Sequence, residues 1–176
     1  MRKQGPGLPL VAPPEVIEVL QHYFKTDDVV LEDITGDFSL PGAAKQKIHI
    51  DMRCSKHDRD EDMANVIKVY YTMMDHDEDT GPTRFVKGSQ RLSAQGKKPK
   101  EVGSILAYAP RGSAMIMDLR TWHGGTKNKS PYARPMIGAH YQAPHTKSRP
   151  IKKTLDRERF EQLTELEQRV CRKVVM

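Results

Sequence analysis

The chain has few cysteines and no long apolar run, and each shortage excludes a class of protein. Two cysteines occur, Cys54 and Cys171, far apart in the sequence, so free thiols in a reducing compartment are expected rather than a disulfide framework. No stretch approaches the roughly 20 apolar residues that a membrane span needs. The first six residues lack the apolar core of a signal peptide, and the last three are not a peroxisomal signal. The sequence predicts a cytoplasmic protein without a membrane partner.

Aromatic residues are also scarce near the positive charge. Lys and Arg outnumber Asp and Glu by 29 to 23, giving a net charge of +6, and the excess is concentrated at 97–100 and 147–157. The six Tyr and four Phe do not interleave with these clusters, which argues against a nucleic-acid partner because stacking platforms are missing. Such clusters are usually solvated surface. If they border a site, they favour an anionic small-molecule substrate.

The most informative pattern that is present is His49-Ile-Asp51, with His123 following 72 residues after Asp51. Residues two apart on a strand share one face, so His49 and Asp51 can reach one metal ion. A distant His would complete a set of two imidazoles and one carboxylate, which leaves positions open for a co-substrate and O₂ in non-haem Fe(II) oxygenases. Zinc would place fewer demands on the site. A solvated strand face would show the same alternation.

Three blocks in order resemble the phytanoyl-CoA dioxygenase family. They are Gln-Lys-Ile-His-Ile-Asp at 46–51, Asp-Thr-Gly-Pro-Thr-Arg-Phe-Val-Lys-Gly-Ser-Gln at 79–90, and the segment 112–128 followed by Arg134. The resemblance runs from about Val30 to Pro144. It implies a double-stranded β-helix (jelly roll), and oxidation of a small organic substrate by O₂ with Fe(II) as metal, 2-oxoglutarate as co-substrate and ascorbate as reductant. Succinate and CO₂ would be released.

The resemblance also implies roles for individual residues. The metal ligands would be His49, Asp51 and His123. The residues that contact 2-oxoglutarate would be Arg134, Gln46 and Thr83. Arg suits a buried carboxylate because its planar guanidinium donates two parallel hydrogen bonds. Gln46 is equally explained as a polar residue at a strand edge.

Asp51 further favours hydroxylation or a similar oxidation, because related halogenating enzymes have a small residue in place of this carboxylate. The chain departs from relatives that carry a hydroxyl two residues after the distal His, since Gly125 is found there; Thr126 or water would have to replace it. Asp118 and Arg120 should face away from the metal and pair with each other. His57 and His76 are expected to lie in charged loops and not to be ligands.

The spacing of apolar residues predicts a mainly β fold with about eight short strands. A short amphipathic helix is expected at 15–24, strands at 29–34 and 38–40 around a turn at 35–37, and one strand over 114–122. We expect a single domain, 1–176, with a jelly-roll core at about 28–145. An amphipathic helix at about 153–173 should end the chain.

Two other functions remain open from the sequence. One is a catalytically silent or truncated jelly-roll binding module, because only 48 residues precede His49 and family members commonly carry a longer N-terminal region. The other is a nucleic-acid demethylase of the same fold, which the positive charge favours. Against it, the next Arg after Arg134 is Arg149, whereas that family has two Arg residues a short step apart.

Overall fold

The computed structural model describes residues 10–52, 64–94, 97, 99, 103–144, 146 and 151–176. The strands in these ranges are β1 (Val30–Ser39), β2 (Val66–Thr72), β3 (Thr83–Phe85), β4 (Ile105–Leu106), β5 (Ala114–Asp118), β6 (His123–Gly125) and β7 (Arg134–Gln142). The helices are α1 (Pro14–Phe24), α2 (Ser89–Ala94), α3 (Arg157–Glu161) and α4 (Glu165–Cys171). Cys54, His57, Lys98, Lys100 and residues 147–150 lie outside the described residues.

The strands form two antiparallel sheets. The long sheet has the order β1-β7-β2-β5, and the short sheet has the order β4-β3-β6. The segment 46–51 extends the short sheet, because His49 and His123 exchange two backbone hydrogen bonds of 2.9 Å and Gln46 N donates to Gly125 O at 3.0 Å. With this segment, each sheet has four extended segments within the described ranges. The mainly β jelly-roll prediction is confirmed.

The turn predicted at 35–37 is wrong, because β1 continues through it. Thr35 Oγ1 donates to Gly138 O at 3.3 Å, and Asp37 Oδ2 accepts from Lys68 Nζ at 3.2 Å. Thr35 and Asp37 are half-buried, whereas Ile34 and Phe38 are exposed. These polar residues therefore form the inner face of a strand. Local turn propensity could not reveal partners that lie so far away in sequence.

The strand predicted over 114–122 is divided between the two sheets. β5 ends at Asp118, where the carboxylate accepts from the backbone N–H of Arg120 at 2.8 Å and pairs with its guanidinium. Thr121 N donates to Asp118 O at 2.9 Å and closes the turn. The predicted pairing of Asp118 with Arg120 is confirmed. It turns the chain so that His123 begins a strand of the short sheet.

The helix predicted at 15–24 is confirmed as α1, which has Pro in its first turn and a buried apolar stripe. The C-terminal helix predicted at 153–173 is wrong as one continuous element. The chain forms α3 and α4, because Thr164 caps a new helix: its hydroxyl accepts from Glu167 N, and the Glu167 carboxylate accepts from Thr164 N at 2.8 Å. This capping box satisfies backbone donors that a continuous helix would bond internally.

The chain divides into two compact units, one comprising the residues up to Ile34 together with Ala139–Met176, the other Thr35–Gly138. The second unit contains a cluster of buried residues: Val66, Tyr70, Met117, Leu119 and Met136. All the predicted site residues belong to this unit. A single domain over 1–176 stays a prediction. No helix in the described ranges is long and apolar enough to cross a membrane.

Candidate metal centre

Backbone pairing brings the three predicted metal ligands together. His49 and His123 are directly opposite each other across the edge of the short sheet, and Asp51 N donates to Leu119 O at 3.1 Å. His49 and Asp51 are two residues apart on an extended segment, so both side chains reach the same side as His123. Residues 72 positions apart in sequence thus meet in space.

The ligand atoms of these residues all lie within 4.8 Å of one another. Asp51 Oδ1 is 3.6 Å from His49 Nε2, and Asp51 Oδ2 is 3.7 Å from His123 Nε2. Two nitrogens and one carboxylate around a common point form a donor set that suits a first-row divalent metal and leaves further coordination positions open. The residues present therefore fit a mononuclear metal ion.

Both imidazoles are oriented by main-chain carbonyls. His49 Nδ1 lies 3.0 Å from Lys47 O, and His123 Nδ1 lies 2.9 Å from Thr121 O. Because a carbonyl can only accept, Nδ1 must carry the proton, and the lone pair is on Nε2. Burial also lowers the pKa of His123 below its ordinary value. The ring is thereby kept in the neutral form that a metal requires.

Arg84 joins the two segments that carry the ligands. Its buried guanidinium donates to Gln46 O at 2.5 Å and to Gly125 O at 3.2 Å. The side chain of Gln46 contributes as well, since Gly125 N donates to Gln46 Oε1 at 2.7 Å. Part of Gln46's hydrogen-bonding capacity thus serves the fold. A Cβ added at Gly125 would lie 3.1 Å from Gln46 Oε1, so glycine suits this contact.

A cavity of about 280 Å³ opens beside the triad. Its walls include all six predicted site residues: Gln46, His49, Asp51, Thr83, His123 and Arg134. Thr126 also reaches the cavity, but its hydroxyl donates to Pro82 O at 2.7 Å. It is therefore a poor replacement for the hydroxyl that some relatives carry at position 125.

Arg134 is buried in the cavity wall without a full set of partners. Its Nη1 lies 3.4 Å from the sulfur of Met136, a weak acceptor, and its Nε has no hydrogen-bond partner among the described residues. Burial lowers the pKa of Arg134, while the nearby Asp37 and Tyr70 oppose that shift. A buried donor of this kind is costly unless an anion pairs with it. The carboxylate of a small diacid fits that requirement.

Lys68 and Asp37 also line the cavity, although neither was predicted as a site residue from the sequence. Lys68 Nζ lies 3.2 Å from Asp37 Oδ2 and 3.8 Å from Asp51 Oδ2. It also lies 4.3 Å above the centre of the Tyr70 ring. Burial, followed by the field of Asp37, raises the pKa of the Tyr70 hydroxyl far above its ordinary value. The one available signal was a charged residue in the middle of an otherwise apolar strand.

His76, expected not to be a ligand, lies outside this cavity but not in a solvated loop. Its backbone pairs with Ala109, and its ring is buried. Burial and, to a smaller extent, the charge of Arg134 lower the pKa of His76 to about 4. Neither ring nitrogen has a hydrogen-bond partner in the described part of the chain.

Solved structures with a similar fold are non-haem oxygenase-type proteins. EctD from S. alaskensis with bound Fe shares 16% identity over 76% of this chain and 51% of its own, with a TM-score of 0.59. The non-haem α-ketoglutarate-dependent epimerase SnoN from nogalamycin biosynthesis shares 14% identity over 76% of this chain and 56% of its own, with a TM-score of 0.60. The ThoJ–Ni complex, a non-haem monooxygenase, shares 12% identity over 78% of this chain and 53% of its own, with a TM-score of 0.62.

These likenesses establish the fold, and the chain spans about half the length of each of the three structures. No curated protein matches the sequence significantly. A sequence model described as phytanoyl-CoA dioxygenase matches residues 10–136, which is most of the chain and includes every residue of the cavity. The chain belongs to the phytanoyl-CoA dioxygenase family.

Proposed function

We propose that the protein is an Fe(II)- and 2-oxoglutarate-dependent dioxygenase that oxidises a small organic substrate and releases succinate and CO₂. One observation carries the proposal: a cavity large enough for a small diacid has a His-Asp-His cluster and a buried, incompletely paired Arg134 in its walls. Metal-chelating and carboxylate-binding groups are both needed for 2-oxoglutarate. Family membership and the fold support the same activity.

Fe(II) would be held by His49, Asp51 and His123, and when bound with 2-oxoglutarate it would supply the oxidising chemistry. The protein's own residues order the reactants. His49 and His123 present Nε2 because main-chain carbonyls hold Nδ1–H. Arg134 would pair with the distal carboxylate of 2-oxoglutarate, with Thr83 and Gln46 as neighbouring hydrogen-bonding groups.

Asp51 favours hydroxylation, or another oxidation without halide, over halogenation. A carboxylate occupies the position that halogenating relatives leave to chloride, so we propose a hydroxylase-type reaction. An epimerase of the same fold, SnoN, shows that other outcomes occur on this scaffold. Product analysis after incubation under ¹⁸O₂ distinguishes them, because hydroxylation places one labelled atom in the product and epimerisation places none.

The direct test is anaerobic addition of Fe(II) and then 2-oxoglutarate to the metal-free protein. We expect a weak visible charge-transfer band that appears only when both are present. Turnover should be stimulated by ascorbate and stopped by an oxalyl mimic of 2-oxoglutarate. Full activity after exhaustive treatment with EDTA would contradict the oxygenase assignment.

A second candidate is a binding module without catalysis. The observation in its favour is length, since the chain spans about half of each of the three solved structures named above. The anaerobic experiment separates the two functions. A chelate band without succinate formation under O₂, across a broad panel of substrates, would favour the binding module.

A further inference from the structure

Lys68 is a buried cation beside a proposed metal ligand. β2 places its side chain in the cavity wall, where 7% of it is exposed. Its ammonium lies 3.2 Å from Asp37 Oδ2 and 3.8 Å from Asp51 Oδ2. A buried ammonium is strongly unfavourable unless carboxylates or hydrogen bonds compensate for lost hydration. Its position thus depends on the same carboxylate that the metal would use.

The surrounding packing keeps the ammonium in that position. The ring of Tyr70 lies beneath Nζ at 4.3 Å, a cation–π contact. Gly138 of β7 leaves room for both side chains, because a Cβ there would lie 2.7 Å from Lys68 Cε and 3.4 Å from Tyr70 Cε1. The lysine stem is confined between β7 and the tyrosine ring.

We infer that Lys68 is an internal counter-cation for Asp51, which stabilises the site before metal binds and lowers its affinity for a divalent metal. The inference rests on the proposed function, because it takes His49, Asp51 and His123 as the ligands. A unit positive charge a few ångströms from a dication repels it, and both attract the same carboxylate. Lys68 therefore competes with the metal.

Asp37 moderates this competition. Asp37 Oδ2 lies 3.2 Å from the ammonium, whereas Asp51 Oδ2 lies 3.8 Å from it. Asp37 also interacts with the Tyr70 hydroxyl. By holding the ammonium, Asp37 leaves the Asp51 carboxylate more available to the metal. The other charged residue in the cavity wall is Arg134, which we assign to the co-substrate. Lys68 and Asp37 should thus have opposite effects on metal affinity.

The first test is Lys68→Met in the full chain, which removes the charge and keeps an unbranched side chain. Co(II) binding to the metal-free protein is measured by titration calorimetry without 2-oxoglutarate, so that catalysis is not the readout. We expect Co(II) to bind about tenfold more tightly than to the wild type. The metal-free variant should melt at a lower temperature, and Co(II) should raise its Tm by more.

The second test is Asp37→Asn, which should weaken Co(II) binding several-fold because the ammonium then turns to Asp51. In the Lys68→Met background the same change should have a smaller effect, and this double-mutant cycle separates the route through Lys68 from the direct charge of Asp37. The matched control is Lys129→Met. Lys129 pairs with Glu78 at 3.5 Å on the surface, so its loss should leave Co(II) affinity unchanged.

Equal or weaker Co(II) binding by Lys68→Met would overturn the inference while leaving the proposed function intact. If that variant does not fold, Asp37→Asn decides, because unchanged or tighter binding there contradicts the competition. Failure of the wild-type protein to bind Co(II), Fe(II) or any similar divalent ion would overturn both the inference and the proposed function.

Discussion

The two sheets contribute different kinds of side chain to one cavity. The short sheet, with the segment beside it, brings the predicted ligand atoms of His49, Asp51 and His123 together. The long sheet brings Lys68 and Arg134, the two cations in the cavity wall. Backbone pairing at a sheet edge brings the predicted ligands close together. The charged side chains of Lys68 and Arg134 instead extend into the cavity from β2 and β7. Asp51 beside the short sheet and Arg134 in the long sheet should therefore alter different binding constants, the first for the metal and the second for 2-oxoglutarate, whereas Lys68 should change metal affinity through its contact with Asp51.

The largest expected effect is in the short sheet. Asp51→Ala removes the single carboxylate of the triad, so two imidazoles remain, and we expect no measurable Fe(II)-dependent turnover and a strong loss of Co(II) affinity. Calorimetric titration and succinate formation measure the two losses. Asp27→Ala, which removes an exposed carboxylate outside the cavity, is the control. Wild-type turnover in Asp51→Ala would remove Asp51 from the metal.

Arg134 tests the long sheet. Arg134→Lys keeps the charge and loses the planar fork, and Arg134→Ala leaves the bound carboxylate unpaired. A charge-assisted hydrogen bond contributes roughly 1.5–3 kcal/mol, on the order of 10- to 100-fold in affinity. We expect the 2-oxoglutarate requirement to rise by about that factor in the Lys variant and further in the Ala variant.

Titration of the anaerobic chelate band with 2-oxoglutarate measures the Arg134 effect, and Co(II) affinity without 2-oxoglutarate should change little. A large parallel loss of Co(II) affinity would contradict the assignment of Arg134 to the co-substrate rather than to the metal. Unchanged 2-oxoglutarate affinity in Arg134→Ala would show that another cation binds the distal carboxylate. Arg120 is excluded from that role in the described structure, since its guanidinium pairs with Asp118 at 2.7 Å.

Substitutions of two glycines, one near each sheet, should lower the stability of the protein by different amounts. Gly81, before β3, has a φ of +74°, and a Cβ there would lie 2.5 Å from the backbone oxygen of Lys127. Gly81→Ala should lower the free energy of unfolding by about 2–4 kcal/mol, from left-handed strain plus overpacking. At Gly138 the obstacles are side-chain atoms that can shift, Lys68 Cε and Thr35 Oγ1, so Gly138→Ala should cost about 1–2 kcal/mol.

Urea unfolding of both glycine variants measures these differences, with Gly42→Ala as control because nothing lies within 4 Å of a Cβ there. Gly138→Ala should also change Co(II) affinity, because it displaces Lys68, whereas folded Gly81→Ala should change it less. A smaller stability loss for Gly81→Ala than for Gly42→Ala would contradict the collision with Lys127.

The smallest effect is expected at His76, which lies outside the cavity. Its pKa is about 4 in the folded protein, against 6.5 ordinarily. Between these values the unfolded chain binds more protons, so this contribution is fully present above pH 6.5 and is lost as the pH falls towards 4. His76→Phe, which keeps a buried ring without the nitrogens, should reduce the acid-side loss of stability by about 1–3 kcal/mol.

Chemical denaturation of wild type and His76→Phe at pH 7.5, 6 and 5 measures how steeply the free energy of unfolding of each protein depends on pH. Co(II) affinity at pH 7.5 should be the same for both proteins, in agreement with the sequence prediction that His76 is not a ligand. Parallel stability curves for the two proteins would show that another group, such as His123, dominates the acid response.

The clustering of His49, Asp51 and His123 could be predicted from sequence because His49 and Asp51 share one face of a segment and His123 lies in a block that resembles the family. Lys68 could not be predicted as a site residue, because it is a single charged residue in an otherwise apolar strand. Its partner Asp37 lies in a segment that was interpreted as a turn. That interpretation failed because Thr35 and Asp37 are satisfied across the sheet. Thr164 and Glu167 form a capping box, which indicates the break between α3 and α4. The apolar stripe continues across this break, and for that reason it predicted one helix.

The main-chain partners of the two imidazoles have an evolutionary consequence. Lys47 O and Thr121 O accept the Nδ1 protons, and every amino acid provides a carbonyl oxygen. Substitutions at positions 47 and 121 can accumulate without changing which tautomer His49 and His123 present, provided that the backbone keeps its path. In metal sites where a carboxylate side chain orients the histidine, one substitution removes that control. Here the tautomer depends on the path of the backbone, so side-chain substitutions at the positions that supply the two carbonyls leave it unchanged.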